Sequence, residues 1–210
     1  MRTSAKLGLT ALIAALLLSA AISTAGARSL SVSSQTIRAT WSRLGFNDES
    51  LGLSIGCHLT LEGSFHSRTI AKVSRALIGA ITRVDVFTER CTGGFVKGKP
   101  PFPWHITYES FIGTLPNISS VRLLLARFRY LLIVPGLGTC EYGTSTDNVI
   151  SAANLNASGE ITNLAPVAGS NIAHKTEPST SFCPNEGALV GPEGVVTALN
   201  STARIRVTLI

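Results

Sequence analysis

Four isolated cysteines, Cys57, Cys91, Cys140 and Cys183, lie behind a leader with the features of an export signal, and they constrain the fold more than any other feature. An even number of cysteines in an exported chain predicts two disulfides, with three connectivities open. Pairing in sequence order, Cys57 with Cys91 and Cys140 with Cys183, is preferred. It closes loops of ~35 and ~44 residues, each worth about 4 kcal/mol in the chain-entropy account. The rival use of such residues is a zinc site, but no Cys-x-x-Cys or His-x-x-His spacing occurs. No metal or other cofactor is expected.

The case for export rests on residues 1–27. Arg2 and Lys6 form a positive start, Leu7 to Ala21 is an uncharged apolar run, and Ala25-Gly26-Ala27 gives the small-residue ending of a signal peptide. Cleavage is expected before Arg28. The apolar run falls short of the ~20 residues a spanning helix needs. What remains, residues 28–210, suffices for one secreted, well-cored domain and not for two. No later stretch is long and apolar enough to span a bilayer as a helix, so no transmembrane segment is expected after cleavage.

Within that domain the dominant pattern is alternation. Leu53, Ile55, Cys57, Leu59 and Leu61 alternate with Ser54, Gly56, His58, Thr60 and Glu62, the period of a half-buried strand. One stretch changes period. Ile70, Val73, Leu77 and Ile81 recur every three or four residues, which predicts a single helix over residues 68–80 carrying Arg68, Lys72 and Arg75 on its other side. Alternation resumes at Val84, Val86 and Thr88. A Gly/Pro loop around residues 98–103 separates these from a strand at Trp104, Ile106 and Tyr108, ended by a turn at Gly113–Asn117. Residues 119–134 read as strand with a register slip near Ala126, taken as a bulge. Residues 143–158 and 166–187 read as loops. A hairpin around Asn200-Ser201 is expected to close the chain. The sum is a mainly β, single-domain β-sandwich or distorted barrel of about seven to nine strands with one packed helix.

Several fragments resemble a family of exported, disulfide-containing β-rich proteins of unassigned function from high-GC Gram-positive bacteria. They are Leu59-Thr60-Leu61-Glu62-Gly63-Ser64-Phe65-His66-Ser67-Arg68-Thr69-Ile70, Pro103-Trp104-His105 leading to Tyr108 and Phe111, Gly113 to Ile118, Cys183-Pro184, and the closing stretch from Gly194 to Ile210. The resemblance implies disulfides, a β fold and a bacterial host. It implies no catalytic residues.

Three residue groups bear on function. Gly52-Leu53-Ser54-Ile55-Gly56 matches the G-x-S-x-G elbow of serine hydrolases, which requires a strand before the serine and a helix after it. Here polar residues precede Ser54 and an alternating strand follows. The second group is the polar stripe His58, Thr60, Glu62, Ser64 and His66, on one face of a strand. His58 and His66 would stand about 26 Å apart, so they cannot share a metal ion. The third is the cationic trio Arg68, Lys72 and Arg75. Residues 28–135 carry 13 Lys/Arg against 6 Asp/Glu, while residues 136–210 carry 3 against 6.

These features favour a secreted, non-catalytic structural or binding domain. Anionic or glycan cell-envelope polymers are its expected partners, through His58, Glu62, His66, Arg68, Lys72 and Arg75. No nucleic-acid partner is expected. Two alternatives stand: a small hydrolase using Ser54 or the His58/Glu62/His66 stripe, and a carrier with an apolar cavity, which needs a sheet closed on itself.

Overall fold

Apolar–polar alternation becomes strand almost wherever the sequence carries it. A computed structural model describes residues 29–49, 52–115, 117–136, 138–144, 149–176 and 182–210. The expected leader and its cleavage point lie outside the described residues. The strands are β1 (Ser29–Val32), β2 (Thr36–Asp48), β3 (Leu53–Phe65), β4 (Thr69–Ala71), β5 (Leu77–Thr92), β6 (Phe95–Gly98), β7 (Trp104–Thr114) and β8 (Asn117–Ala126). They continue with β9 (Arg129–Val134), β10 (Gly138–Gly143), β11 (Val149–Leu155), β12 (Ile161–Lys175), β13 (Glu186–Val190), β14 (Val195–Thr197) and β15 (Val207–Leu209). The fold is mainly β, and the strands outnumber the seven to nine expected.

Two sheets result. A small one orders β15-β1-β4, and the large one runs β11-β8-β7-β5-β3-β2-β13-β12-β10-β9-β6 with β14 added on β2. The large ladder returns on itself, because β11 also pairs with β12. Leu164 of β12 shows how. It faces Ala153 of β11 on one side and exchanges main-chain hydrogen bonds with Gly194, just before β14, on the other. Hydrogen bonding therefore runs in a closed circuit through β11, β8, β7, β5, β3, β2, β13 and β12.

Above this circuit the long strands β2, β3 and β5 overshoot their neighbours. β7 pairs with β5 only between Leu77 and Ile81, whereas β3 follows β5 up to Thr92. A leaf made of β10, β9 and β6 branches from the end of β12 and packs over the overshoot. Ile37, Ala39, Trp41, Phe46, Ile55, Leu59, Phe65, Ile81, Trp104, Ile106, Tyr108, Tyr130, Leu132 and Tyr142 are all buried in one continuous core. Both disulfides form, Cys57 with Cys91 and Cys140 with Cys183. The first fastens β3 to β5, and the second ties β10 to the segment leading into β13.

The expected helix at residues 68–80 is absent. Thr69–Ala71 pairs with β1, a turn follows at Ser74–Arg75, and β5 starts at Leu77. The four-residue periodicity misled because it never formed one face. Ile70 and Ile81 are 6% and 4% exposed, but Val73 and Leu77 are 61% and 46% exposed. The main chain is claimed elsewhere: Arg75, at φ 64°, donates its N–H to the Tyr108 carbonyl at 2.6 Å, and Tyr108 donates to Ala76 at 3.0 Å. Such tertiary partners outweigh a helix interrupted by Gly79 and β-branched residues.

Three smaller readings also change. The slip near Ala126 is a corner and not a bulge: Arg127 adopts φ 59°, and the chain passes from β8 into β9, which pairs with different strands. The presumed loops at 143–158 and 166–187 hold β11, much of β12 and the start of β13. Small polar residues and Pro166 hid them, with Pro166 placed opposite Ser151 beside a break in register. The closing residues are not a hairpin either, since β14 joins β2 while β15 joins β1.

Candidate functional site

The inward residues of β2, β3 and β5 continue upward past the end of β7, and the leaf covers them. Between the two lies an apolar cavity of about 80 Å³. Leu44, Phe46, Leu59, Leu61, Val84 and Val86 supply one wall, and Val96, Phe128, Tyr130 and Leu132 the other, with Trp104, Leu125 and Leu189 at the margins.

Aromatic rings stiffen the leaf side. Phe102 packs on Trp104 at 5.2 Å between centroids, Phe128 stacks on Tyr130 at 5.8 Å, Tyr130 on Tyr142 at 5.9 Å, and Tyr142 meets Phe46 at 4.5 Å. Tyr142 donates its hydroxyl to the Pro184 carbonyl at 2.9 Å. Burial pushes the Tyr130 and Tyr142 phenols upward, with the nearby Asp48 charge adding to Tyr142, so both stay protonated. The Tyr130 hydroxyl and the Trp104 and Trp41 indole N–H groups are buried without a hydrogen-bond partner among the described residues. Each such group costs about 1–3 kcal/mol.

A groove of about 620 Å³ runs outside the cavity, along the join between β5 and β6. Val84, Val86, Val96 and Gly98 line both spaces, so little more than these side chains separates solvent from the interior. Asp85, Thr88, Phe95, Lys97 and Ile133 complete the groove. Phe95 and Ile133 are exposed, and Phe87 stands exposed nearby on β5.

The residues singled out from the sequence are dispersed. Thr60 and Glu62 point away from the cavity. Glu62, almost buried, accepts hydrogen bonds from Arg38 Nε and Nη2 at 2.9 and 2.6 Å and faces Arg83 at 3.6 Å; Arg83 in turn holds Asp85 at 2.9 Å. The register Arg38↔Glu62↔Arg83 makes this a cross-strand charge ladder. His58 stands at the disulfide end, edge-on to Phe87 at 4.7 Å and 3.4 Å from Arg90. His66 and Arg68 lie exposed in the β3–β4 connection, and Lys72 and Arg75 follow β4, Lys72 above the Phe111 ring at 5.6 Å. Ser54 is exposed and opposite Asn47. Among the described residues no histidine is hydrogen-bonded to Ser54 or Glu62, and no group of three or more His, Cys, Asp or Glu is placed to hold a metal ion.

A buried acid missed in the sequence sits at the leaf's edge. Glu141 of β10, 3% exposed, receives Lys99 from just beyond β6 and Arg129 of β9 at 3.2 Å. Burial works to raise its pKa, but hydrogen bonds from Lys99 and Thr176 and the charges of Arg129 and Lys99 prevail, leaving it below the ordinary carboxylate range. The triad locks β6, β9 and β10 together over the cavity. In the sequence it is marked by nothing more than an acid next to Cys140.

Compared with protein-family models, curated proteins and solved structures, the chain matches none.

Proposed function

We propose that the protein is an extracytoplasmic, non-catalytic binding protein whose apolar interior takes the hydrocarbon end of a small amphiphile. The carrying observation is that cavity and groove share one boundary, lined on both sides by Val84, Val86, Val96 and Gly98. The closed hydrogen-bond circuit supports reading the lower part as a distorted barrel, the architecture such a carrier needs. The two disulfides suit an oxidising compartment outside the cytosol. At about 80 Å³ the cavity is well below the ~300–1,000 Å³ of a site that swallows a whole drug-sized ligand, so it fits a chain end or a single ring, with the rest of the molecule outside.

The interior favours this reading over an envelope polymer bound on the polar stripe. Glu62 is engaged with Arg38 and Arg83, and His58 sits within β3 beside the Cys57 disulfide, whereas the cations Arg68, Lys72 and Arg75 lie beyond the strand's C-terminal end. A hydrolase at Ser54 finds no hydrogen-bonded histidine beside the serine among the described residues.

The test is titration of residues 28–210 with benzene and with decanoate, following the methyl resonances of Leu59, Leu61, Val86 and Leu132 by NMR. Saturable shifts confined to these methyls support the reading. Shifts absent, or scattered over the outer surface, overturn it.

A further inference from the structure

The join between β5 and β6 differs from the laddered pairs on either side of it. β5 is laddered to β3 on one edge, and β6 to β9 on one edge. Across the join itself, among the described residues, no strand pairing runs, although the two strands are consecutive and linked by the tight Gly93-Gly94 turn. Hairpin neighbours ordinarily share a ladder; these two are splayed. Side chains meet across the gap: a β-carbon built on Gly98 would lie 3.0 Å from Val84 Cβ, and Val86 and Val96 line the join on both its cavity and groove sides. Parting the join therefore requires rotation of valine side chains and breaks no ladder. The backbone on each side is held firmly, β5 by the Cys57–Cys91 disulfide and β6 by β9 and the Lys99–Glu141 contact.

Resting on the carrier reading above, we propose that this splayed join is the portal of the cavity and that its ligand is a single-chain carboxylate. The tail tip passes between Val84, Val86 and Val96 into the interior, the rest of the chain lies along Phe95 and Ile133, and the carboxylate meets Lys97. Charge in the groove selects that head group. Asp85 is held by Arg83, whereas Lys97 is exposed and makes no ion pair among the described residues, leaving the groove net positive.

The experiment is stopped-flow binding of cis-parinaric acid, a fluorescent single-chain carboxylate, and of its methyl ester to the disulfide-intact domain. Val86→Ala widens the partition and is expected to speed association several-fold, whereas Gly98→Leu plugs it and is expected to slow association at least tenfold. Lys97→Glu is expected to weaken the acid about tenfold and the ester less than twofold. Saturable binding whose rates ignore both Val86→Ala and Gly98→Leu overturns the portal, and equal losses for acid and ester in Lys97→Glu overturn the head group. Either result leaves the carrier reading intact, and absence of binding by parinaric acid, decanoate and benzene alike to the wild type removes the carrier reading itself. Val86→Ala only deletes methyl groups, so it keeps the portal falsifiable even where Gly98→Leu fails to fold.

Discussion

Gly187 lies flat against the ring of Phe46, so closely that a β-carbon at residue 187 would stand 2.0 Å from Cζ and 2.4 Å from Cε2. Phe46 is 1% exposed and held between Tyr142 and Tyr130. β13 is thereby drawn in against β2, which brings Leu189 to the cavity. Gly187→Ala is expected to destabilise the domain by about 1–3 kcal/mol through overpacking, with a matching fall in Tm. An unchanged Tm would show that β13 is free to shift outward.

The Glu141 triad makes stability depend on pH in a defined direction. A carboxyl whose folded pKa is depressed contributes fully above its unfolded value, about 4.3, and its contribution disappears as pH falls through the folded value. Glu141→Gln should cost about 2 kcal/mol at neutral pH, because Lys99 and Arg129, each about a third exposed, can turn partly to water. Its Tm should also fall less steeply than the wild type's below about pH 4.3. Glu160, also lowered, chiefly by its hydrogen bond from Asn156, is present in both proteins. The difference between their Tm profiles therefore reports Glu141, and parallel profiles would refute its role.

The two disulfides bear different loads. Cys140–Cys183 closes the longer separation, 43 against 34 residues, and both its cysteines are buried, whereas Cys91 is half-exposed. Graded reductant is therefore expected to open Cys57–Cys91 first, detected by mass mapping of alkylated thiols. Replacing Cys140 and Cys183 together by alanine should cost about 2–5 kcal/mol and loosen the leaf. Simultaneous reduction of both bridges would count against this order.

What the sequence disclosed follows from which signals are local. The alternation of Leu53 to Leu61 and the count of cysteines state their consequences within a few residues, and strand and disulfides both appear. The helix at 68–80 failed because Ile70 and Ile81 are buried by partners far away in the chain, β1 and β7, which no window around them contains. β11 and the part of β12 from Pro166 onward were hidden because strands made of Ser, Ala and Asn carry almost no alternation, whereas the start of β12 falls in a stretch, Gly159 to Leu164, that reads as a short strand. The cavity left even less trace. Val84 and Val86 declared a strand, Gly98 the start of a loop, and only the missing ladder between their strands makes them a boundary between groove and interior. Glu62 illustrates the converse: a conspicuous acid whose role, once Arg38 and Arg83 are placed beside it, is to hold β2, β3 and β5 in register.

Leu132 joins the packing argument to the functional one. It is fully buried, lines the cavity and sits opposite Cys140 on one side and Val96 on the other. Leu132→Ala should destabilise by about 2–5 kcal/mol, the range for a truncated core leucine. The volume it vacates adds to a cavity already present, so the variant should take a larger guest than the wild type. Benzene, binding the folded state alone, then raises Tm by mass action, more in Leu132→Ala than in wild type. Leu30→Ala is the matched comparison, since Leu30 is equally buried but belongs to the three-stranded sheet, away from the cavity. Rescue of Leu132→Ala without rescue of Leu30→Ala places the guest beneath the leaf; equal rescue of both, or of neither, denies that the cavity is a binding space.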